Sequence, residues 1–522
     1  MADIKQAMRD RVSQVSKALT DLGFYVDTSW YANITTWLIW YMGFDPEFHV
    51  YSDGEEGKTN EIQISRLNMA KTVCEDWASL LLGEKTEIKI KDKASSEWLL
   101  GKPDDQQQGG VFGETNFWAR ANELVEKSFA LGMGAIVPRI KEATLNDAGK
   151  IIGGKVSIDF FTADQIFPLT YENRTITSCA FVSERMDKKD VIITVQIHEP
   201  GRITYKFYKS TKDGLEMVDM GPDYAQEIEF TDKELFLPAF IYPQINNHLD
   251  TTTPFGVSVY STAIDVLKGV DLAFDNFLTD IELGRKFVFV GNEMLMEGPD
   301  GQKIVPQKTR KRLFEKVGGD LPPTGDKDPF IHEYNPDLRI AENQQAVQAQ
   351  LDYLSFKCGL GPKFYRFKDG KVTTATEVIS DNSTLFRNRQ KHGHVIERAL
   401  LDVARNTLKL GVELGVQGLQ PDTPITVISD DSVITDTNTE KMLFLQEIAA
   451  GVRQPWEYRV RFLGEDEARA KKMVESEPII DRFNLDDTEP PQDKARRTAV
   501  DAQRGQGQAD NQNEGAEEGT EN

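Results

Sequence analysis

Cysteine and histidine are scarce in this chain. Its 522 residues include three cysteines, Cys74, Cys179 and Cys358, which lie far apart and show no C-x-x-C spacing. That argues against a disulfide framework and a thiolate metal centre, and each is expected as a buried free thiol. Of six histidines only His392 and His394 are close. Two apart on a helix, they point about 200° apart around its axis. Such a pair suits one metal ion poorly, and exposure or polar packing is the expectation. Long apolar runs are missing too. No stretch approaches the roughly 18 uncharged apolar residues of a membrane span, and MADIKQAMRDR does not read as a signal peptide. The expected compartment is the cytosol, with no membrane partner. Positive charge is in deficit: 61 Lys and Arg against 84 Asp and Glu give a net charge of −23. Ordinary nucleic-acid binders are basic and gain affinity by releasing counterions, so the balance speaks first for solubility.

Catalytic signatures are also missing. There is no G-x-S-x-G elbow and no H-E-x-x-H. Gly132-Met133-Gly134 is half a dinucleotide fingerprint without the third glycine or the strand–turn–helix context. Asp369-Gly370-Lys371-Val372-Thr373 resembles the end of a phosphate-binding loop. Its first glycine, however, would fall at Tyr365, and Lys371 is followed by Val372 rather than Ser or Thr. The expectation is no enzyme: no catalytic residue, no cofactor and no metal site.

What is present is length enough for two to four domains and a clear order of patterns. Ile4, Met8, Val12, Val15, Leu19 and Leu22 make an amphipathic helix. Trp37, Trp40 and Tyr41 share a helical face beside Trp30 and Tyr31, which suits core or subunit-interface packing. Leu67 to Leu81 reads as a mostly buried helix, and Ile88 and Ile90 alternate with charge as a strand. After a polar loop at 101–114, a helix is expected from Thr115 to Leu131. Strands GAIVPRIK, KVSIDFF, CAFVSER, VIITVQIHE and RITYKFYKS then follow up to Phe240.

Pro254-Phe255-Gly256 marks a boundary. Beyond it an apolar stripe runs from Tyr260 through Leu267, Val270 and Phe274 to Ile281, with Asp271, Asp275 and Glu282 on another face. A solvated face is the plain reading of these carboxylates. Metal binding or acid–base work by the same three is the competing one. RKFVFV reads as a strand, and the Gly/Pro-rich segment after it carries a basic cluster of Lys308, Arg310, Lys311, Arg312 and Lys316. Such a run is usually a solvated face. A helix from Arg339 to Cys358 leads into the stretch around which the chain is organised.

That stretch is CGLGPKFYRFKDGKVTTATEVISDNSTLFRNRQKHGHVIERALLDVARNTLKL, residues 358–410. Gly359, Gly361 and Pro362 end the preceding helix. Lys363, Arg366, Lys368 and Lys371 stand against one acid, Asp369, in a loop that also holds Phe364, Tyr365 and Phe367. Thr374-Ala375-Thr376-Glu377 fits a capping box. Phe386, Ile396, Leu400, Val403 and Leu410 then mark a helix from 375 to 410, about 54 Å long. Gly411, Gly415 and Gly418 with Pro421 and Pro424 loosen the chain afterwards. A strand ITVISDD, helices at 441–450 and 454–460, and a charged helical stretch follow. From about Leu485 a polar, acidic tail has nothing apolar to bury.

In order and spacing these pieces resemble the portal proteins of tailed double-stranded-DNA bacteriophages, the type found in phages of Gram-positive hosts. They include WLIWYMGFDPEFHVYSDG, LNMAKTVCEDWASLLLGE, PFGVSVYSTAIDVLKGVDLAFDNFLTDIELGRKFVFV, KVTTATEVIS and LQEIAAGVRQPWEYR, and the resemblance runs from about Trp30 to Gly464. It implies an α+β fold: a mixed α/β wing (1–254), a first stem helix (255–285), a small α/β clip (286–338) and a second stem helix (339–361). A tunnel loop (362–374), a long wing helix (375–424), a helical crown (425–484) and a disordered tail (485–522) complete it.

The same resemblance implies a ring of about twelve copies around an axial hole. The ring would sit at one vertex of the virion capsid, assembled in the host cytoplasm, for packaging, retaining and ejecting DNA. Lys363, Arg366, Lys368 and Lys371 would touch DNA phosphates without reading sequence. The 308–316 cluster would meet terminase, an adaptor or DNA, and Asp271, Asp275 and Glu282 would face the channel. Partners would be further copies of the chain, double-stranded DNA, the terminase large subunit, a head-completion adaptor, and major capsid and scaffolding proteins. An acidic wall is compatible with such a conduit, because it keeps DNA moving. The alternatives are a metal-dependent nucleic-acid enzyme built on Asp271–Glu282 and another structural virion or assembly protein.

Overall fold

Alternating apolar residues build two antiparallel sheets in the middle of the chain, and helices pack around them. The computed structural model describes residues 2–53, 60–83, 86–102, 109–145, 151–188, 190–211, 214–220, 226–284, 287–291, 296–297, 303–304, 314–317, 331–366, 375–429 and 437–476. One sheet runs in the order Gly214–Met217, Arg202–Thr211, Asp190–Glu199, Thr175–Asp187, Ile166–Glu172, and Glu227–Glu229 also pairs with Arg202–Thr211. The other orders Ala239–Ile241, Gly134–Leu145 and Ile151–Thr162. Their side chains interdigitate, with the Phe161 and Phe181 rings 4.9 Å apart. Pro168 lacks an N–H and sits on the edge strand Ile166–Glu172, where a missing ladder bond is tolerated. That proline hid the strand from pattern reading.

Helices Ala2–Asp21, Tyr31–Tyr41, Met69–Leu81 and Phe117–Leu131 complete this core. Trp37, Trp40 and Trp77 are buried in it, and fully burying a large apolar side chain stabilises by roughly 1.5–3 kcal/mol. The three cysteines are buried and unpaired. Gly132-Met133-Gly134 is a helix end running into a strand. Gly132 closes Phe117–Leu131 at φ +89, and a Cβ there would lie 2.7 Å from the Gly256 carbonyl oxygen. Residues from Phe255 to Tyr260 therefore belong to this core; Tyr260 is fully buried and donates to the Trp37 carbonyl at 2.8 Å. The boundary expected at 254–255 falls inside it.

Helix Ile264–Leu283 leaves the core and packs along helix Ile340–Lys357. Between them in sequence, Phe287–Gly291 pairs in parallel with Phe314–Val317 and antiparallel with Ile331–Tyr334, and Met296–Glu297 pairs with Lys303–Ile304. Among the described residues of 286–338 there are strands and no helix, where a small α/β element was expected. The long helix spans Ala375–Glu413, 39 residues and about 58 Å; Thr374, its expected cap, lies outside the described residues. Its buried stripe runs Leu385, Arg389, His392, Ile396, Leu400 and Val403, so Phe386, expected on it, is 38% exposed instead. Gly411 is inside the helix rather than after it, and Gly415, at φ +86, turns the chain out. Strand Ile425–Ile428 then pairs with Glu87–Ile90, so it joins the body rather than the helices that follow.

Residues from Ser432 onward form a second compact unit. Its helices are Thr437–Ala449, Pro455–Leu463 and Glu467–Ser476. Phe444, Tyr458 and Phe462 make a small aromatic cluster, and the Arg453 guanidinium lies 4.4 Å from the centre of the Phe444 ring. The tail from 485 lies outside the described residues.

Candidate functional site

The segment from Cys358 to Arg366 joins helix Ile340–Lys357 to the stretch before the long helix. Gly359 and Gly361 take left-handed φ values of +81 and +91, which lets the chain reverse without a Cβ penalty. Side chains from three helices then hold its backbone. Trp77 Nε1 donates to the Cys358 carbonyl at 3.1 Å, Asn388 Nδ2 to Gly359 at 2.8 Å and Gln348 Nε2 to Tyr365 at 3.1 Å. The Tyr365 hydroxyl donates to Asp76 Oδ2 at 2.7 Å. Burial pushes the Tyr365 hydroxyl well above its ordinary value, and Asp76 adds to it. Burial also raises the Asp76 carboxyl, against the lowering effect of the Tyr365 bond. Tyr365 thus packs within its own chain.

From this braced root the basic side chains project. Lys363 is exposed and holds a left-handed φ of 74, which costs a non-glycine residue roughly 1–2 kcal/mol. Arg366 is exposed and makes one loose ion pair, 3.8 Å to Asp352. Lys368, Lys371 and Phe367 lie outside the described residues. Sequence pattern alone missed Asp76, Gln348 and Asn388. The one available signal was Asp76 beside Trp77 in a mostly buried helix.

Of the three acids of helix Ile264–Leu283, Asp271 and Asp275 depart from the solvated face expected of them. Asp271 is buried; its Oδ1 accepts from the Leu67 N–H at 2.9 Å and its Oδ2 lies 3.0 Å from His49 Nε2. His49 is itself fully buried and its Nδ1 accepts from the Asp45 N–H at 2.8 Å, which leaves Nε2–H to donate to the carboxylate. Asp275 accepts from the Ser65 N–H at 2.8 Å. The physical reason is that segments 45–49 and 64–67 present main-chain donors and a histidine to this helix face, and orphaned donors there would be costly. Asp271 and Asp275 are therefore brought together as a structural clamp on segments 45–49 and 64–67, where channel-facing acids were expected. Glu282, two turns further on, is exposed. At that end Asp280 accepts from Arg339 at 2.7 Å and Asn343 at 3.0 Å, tying the two helices together and lowering the Asp280 carboxyl.

Of the basic cluster, Lys308, Arg310, Lys311 and Arg312 lie outside the described residues, and Lys316 is on strand Phe314–Val317. His392 and His394 diverge as the helical angle requires. His392 is buried between Trp77 and Phe129, its Nδ1 accepts from Gln244 N–H at 2.9 Å, and burial pulls it down to about 3. His394 is exposed beside Glu397. Among the described residues no group of three or more His, Cys, Asp and Glu is placed to hold a metal ion, and no helix is long and apolar enough to cross a membrane.

The described residues thus combine a mixed α+β body, a pair of packed helices and a braced basic loop root. Residues 25–452 match the family described as phage portal protein, SPP1 Gp6-like, and the chain belongs to that family. No curated relative matches it in sequence. Among solved structures it is similar to a chain of the neck of a native gene transfer agent particle computed with C12 symmetry: TM-score 0.37, 12% identity, 75% of this chain and 88% of that one. It is also similar to a chain of the virion of a native gene transfer agent particle: TM-score 0.35, 13% identity, 75% and 87% covered.

Proposed function

We propose that copies of this chain close into a ring of about twelve at one capsid vertex, and that DNA passes through its axis during packaging and ejection. The observation that carries the reading is the loop root: Lys363 and Arg366 are exposed on a segment fixed from behind by Trp77, Asp76, Gln348 and Asn388. Rigid placement with solvent-facing charge suits brief phosphate contacts, which attract without reading sequence. Lys368 and Lys371 extend the same charge. Exposed apolar side chains on helices Ile264–Leu283 and Ile340–Lys357 support contact between neighbouring copies. In this reading Lys308, Arg310, Lys311, Arg312 and Lys316 face terminase or a head-completion adaptor, Glu282 flanks the channel, and the body meets capsid and scaffolding proteins.

Negative-stain imaging with light scattering tests the ring. Annular particles of mass near twelve times 58.9 kDa are expected; a lasting monomer in the presence of capsid and scaffolding proteins overturns it. Reversing Lys363, Arg366, Lys368 and Lys371 to Glu tests the loop. Rings should persist while packaged or retained DNA falls, and normal yields of full particles would remove the loop from the mechanism.

A further inference from the structure

The two sheets of the body do not close completely on each other. Between them lies a cavity of about 600 Å³, within the range of small-molecule sites. Its floor is the inner face of the larger sheet, with Ser183, Thr194, Gln196 and Tyr205; its roof is Arg139 and Asp159 of the smaller one. Arg120 and Lys141 stand at its sides, the Arg120 guanidinium 4.6 Å from the centre of the Phe160 ring. At the mouth the strand Gly134–Leu145 is irregular. Its register slips between Lys141 and Thr144, and Glu142 takes a left-handed φ of 54. Bulges of this kind recur beside functional sites.

The polar groups inside are incompletely matched. Asp159 Oδ2 accepts from Gln196 Nε2 at 3.2 Å and lies 2.6 Å from Arg139 Nε, without the alignment of a hydrogen bond. The Tyr205 hydroxyl, on a side chain 6% exposed, has no partner among the described residues. A fully satisfied buried network is the rule, and each unpaired member calls for an explanation. The unmatched Tyr205 hydroxyl can donate. Asp159 is engaged by Arg139 and Gln196 and Glu184 by Arg11 at 3.2 Å, and Glu142 is exposed at the mouth.

We propose that this cavity binds a compact anion bearing acceptor oxygens, a carboxylate or a phosphate, which takes a hydrogen bond from Tyr205 Oη with Arg120 and Lys141 supplying charge. This site is independent of the DNA-channel reading. The test is calorimetric titration of the full-length protein with inorganic phosphate and, separately, glutarate, at constant ionic strength. Tyr205→Phe keeps the ring and removes only the hydroxyl. Saturable binding of either probe, weakened about tenfold in Tyr205→Phe, is expected, and which probe binds assigns the class. A second readout is melting temperature. Tyr205→Phe should melt no lower than wild type without probe, yet gain less from the probe. No saturable binding of either probe, or equal affinity in the variant, overturns the proposal, as does a high-resolution map showing only water on Tyr205 Oη.

Discussion

The two-sheet body and the helix pair that leaves it treat apolar surface in opposite ways. Within the body Ile158, Phe161, Phe167 and Phe181 are at most 2% exposed. On helices Ile264–Leu283 and Ile340–Lys357, Leu278 and Ile281 are each 37% exposed and Tyr353 and Phe356 about three-fifths. One region completes its packing inside a single chain. The other is tied by Asp280 to Arg339 and Asn343 at one end and leaves these large apolar side chains exposed. The lesson is that the body buries its apolar side chains within the chain while the helix pair leaves large ones exposed.

The sharpest way to break that division is Trp77→Ala. Trp77 is fully buried against Phe129 and His392 and donates to Cys358. Its loss should destabilise the body by about 3–5 kcal/mol in urea unfolding, and a loss below 1 kcal/mol would show the core is not shared as described. Acid comes next. His198 and His392 are both held down to about 3 from an ordinary 6.5 by burial. The unfolded chain therefore binds more protons between those values. Their contribution is complete above pH 6.5 and is lost as pH falls toward 3, by up to about 1.4 kcal/mol per pH unit for each histidine. The Asp280 tie, with its lowered carboxyl, keeps its contribution until pH falls below 3.8. The body should therefore loosen before the helix pair on acid titration, followed by hydrogen exchange; the reverse order contradicts the comparison.

A smaller effect tests the loop root. Tyr365→Phe removes the bond to Asp76 and should cost about 1 kcal/mol, with faster amide exchange across 359–366; unchanged exchange would show that the bond does not brace the segment. The smallest effect on the single chain is expected from Leu278→Asp with Ile281→Asp, within about 0.5 kcal/mol by unfolding. The same double variant should abolish the proposed ring by light scattering, and intact rings would place the interface elsewhere.

Much of this was legible in the sequence. Strands such as VIITVQIHE carried their pattern openly, as did the stripe of helix Ile264–Leu283. Elements were missed where a residue's usual meaning was overridden by position: Pro168 on an edge strand, and Arg389 and His392 on a buried stripe where Phe386 was expected. The acids misled for the same reason. A carboxylate at Asp271 looks solvated until the main-chain donor of Leu67 and the ring of His49, 222 residues distant from Asp271 in sequence, are brought to it. Lys363 and Arg366 were found because loop charge needs no partner to be visible. Their supports, Asp76, Gln348 and Asn388, were not, because a side chain bonded to a distant main chain leaves no local period.

The long helix has a consequence for synthesis. Arg389 Nε donates to the Leu80 carbonyl, a partner made 309 residues earlier. Asn406 reaches Phe236, and Glu413 accepts from Thr231. At translation rates of about 5–20 residues per second, the first of these bonds waits about 15–60 s for its second half to be made. Until then the helix Met69–Leu81 lacks a wall, and the root of the basic loop lacks Asn388. A nascent chain cannot complete the loop root before Asn388 is made, nor the body before Glu413 is made.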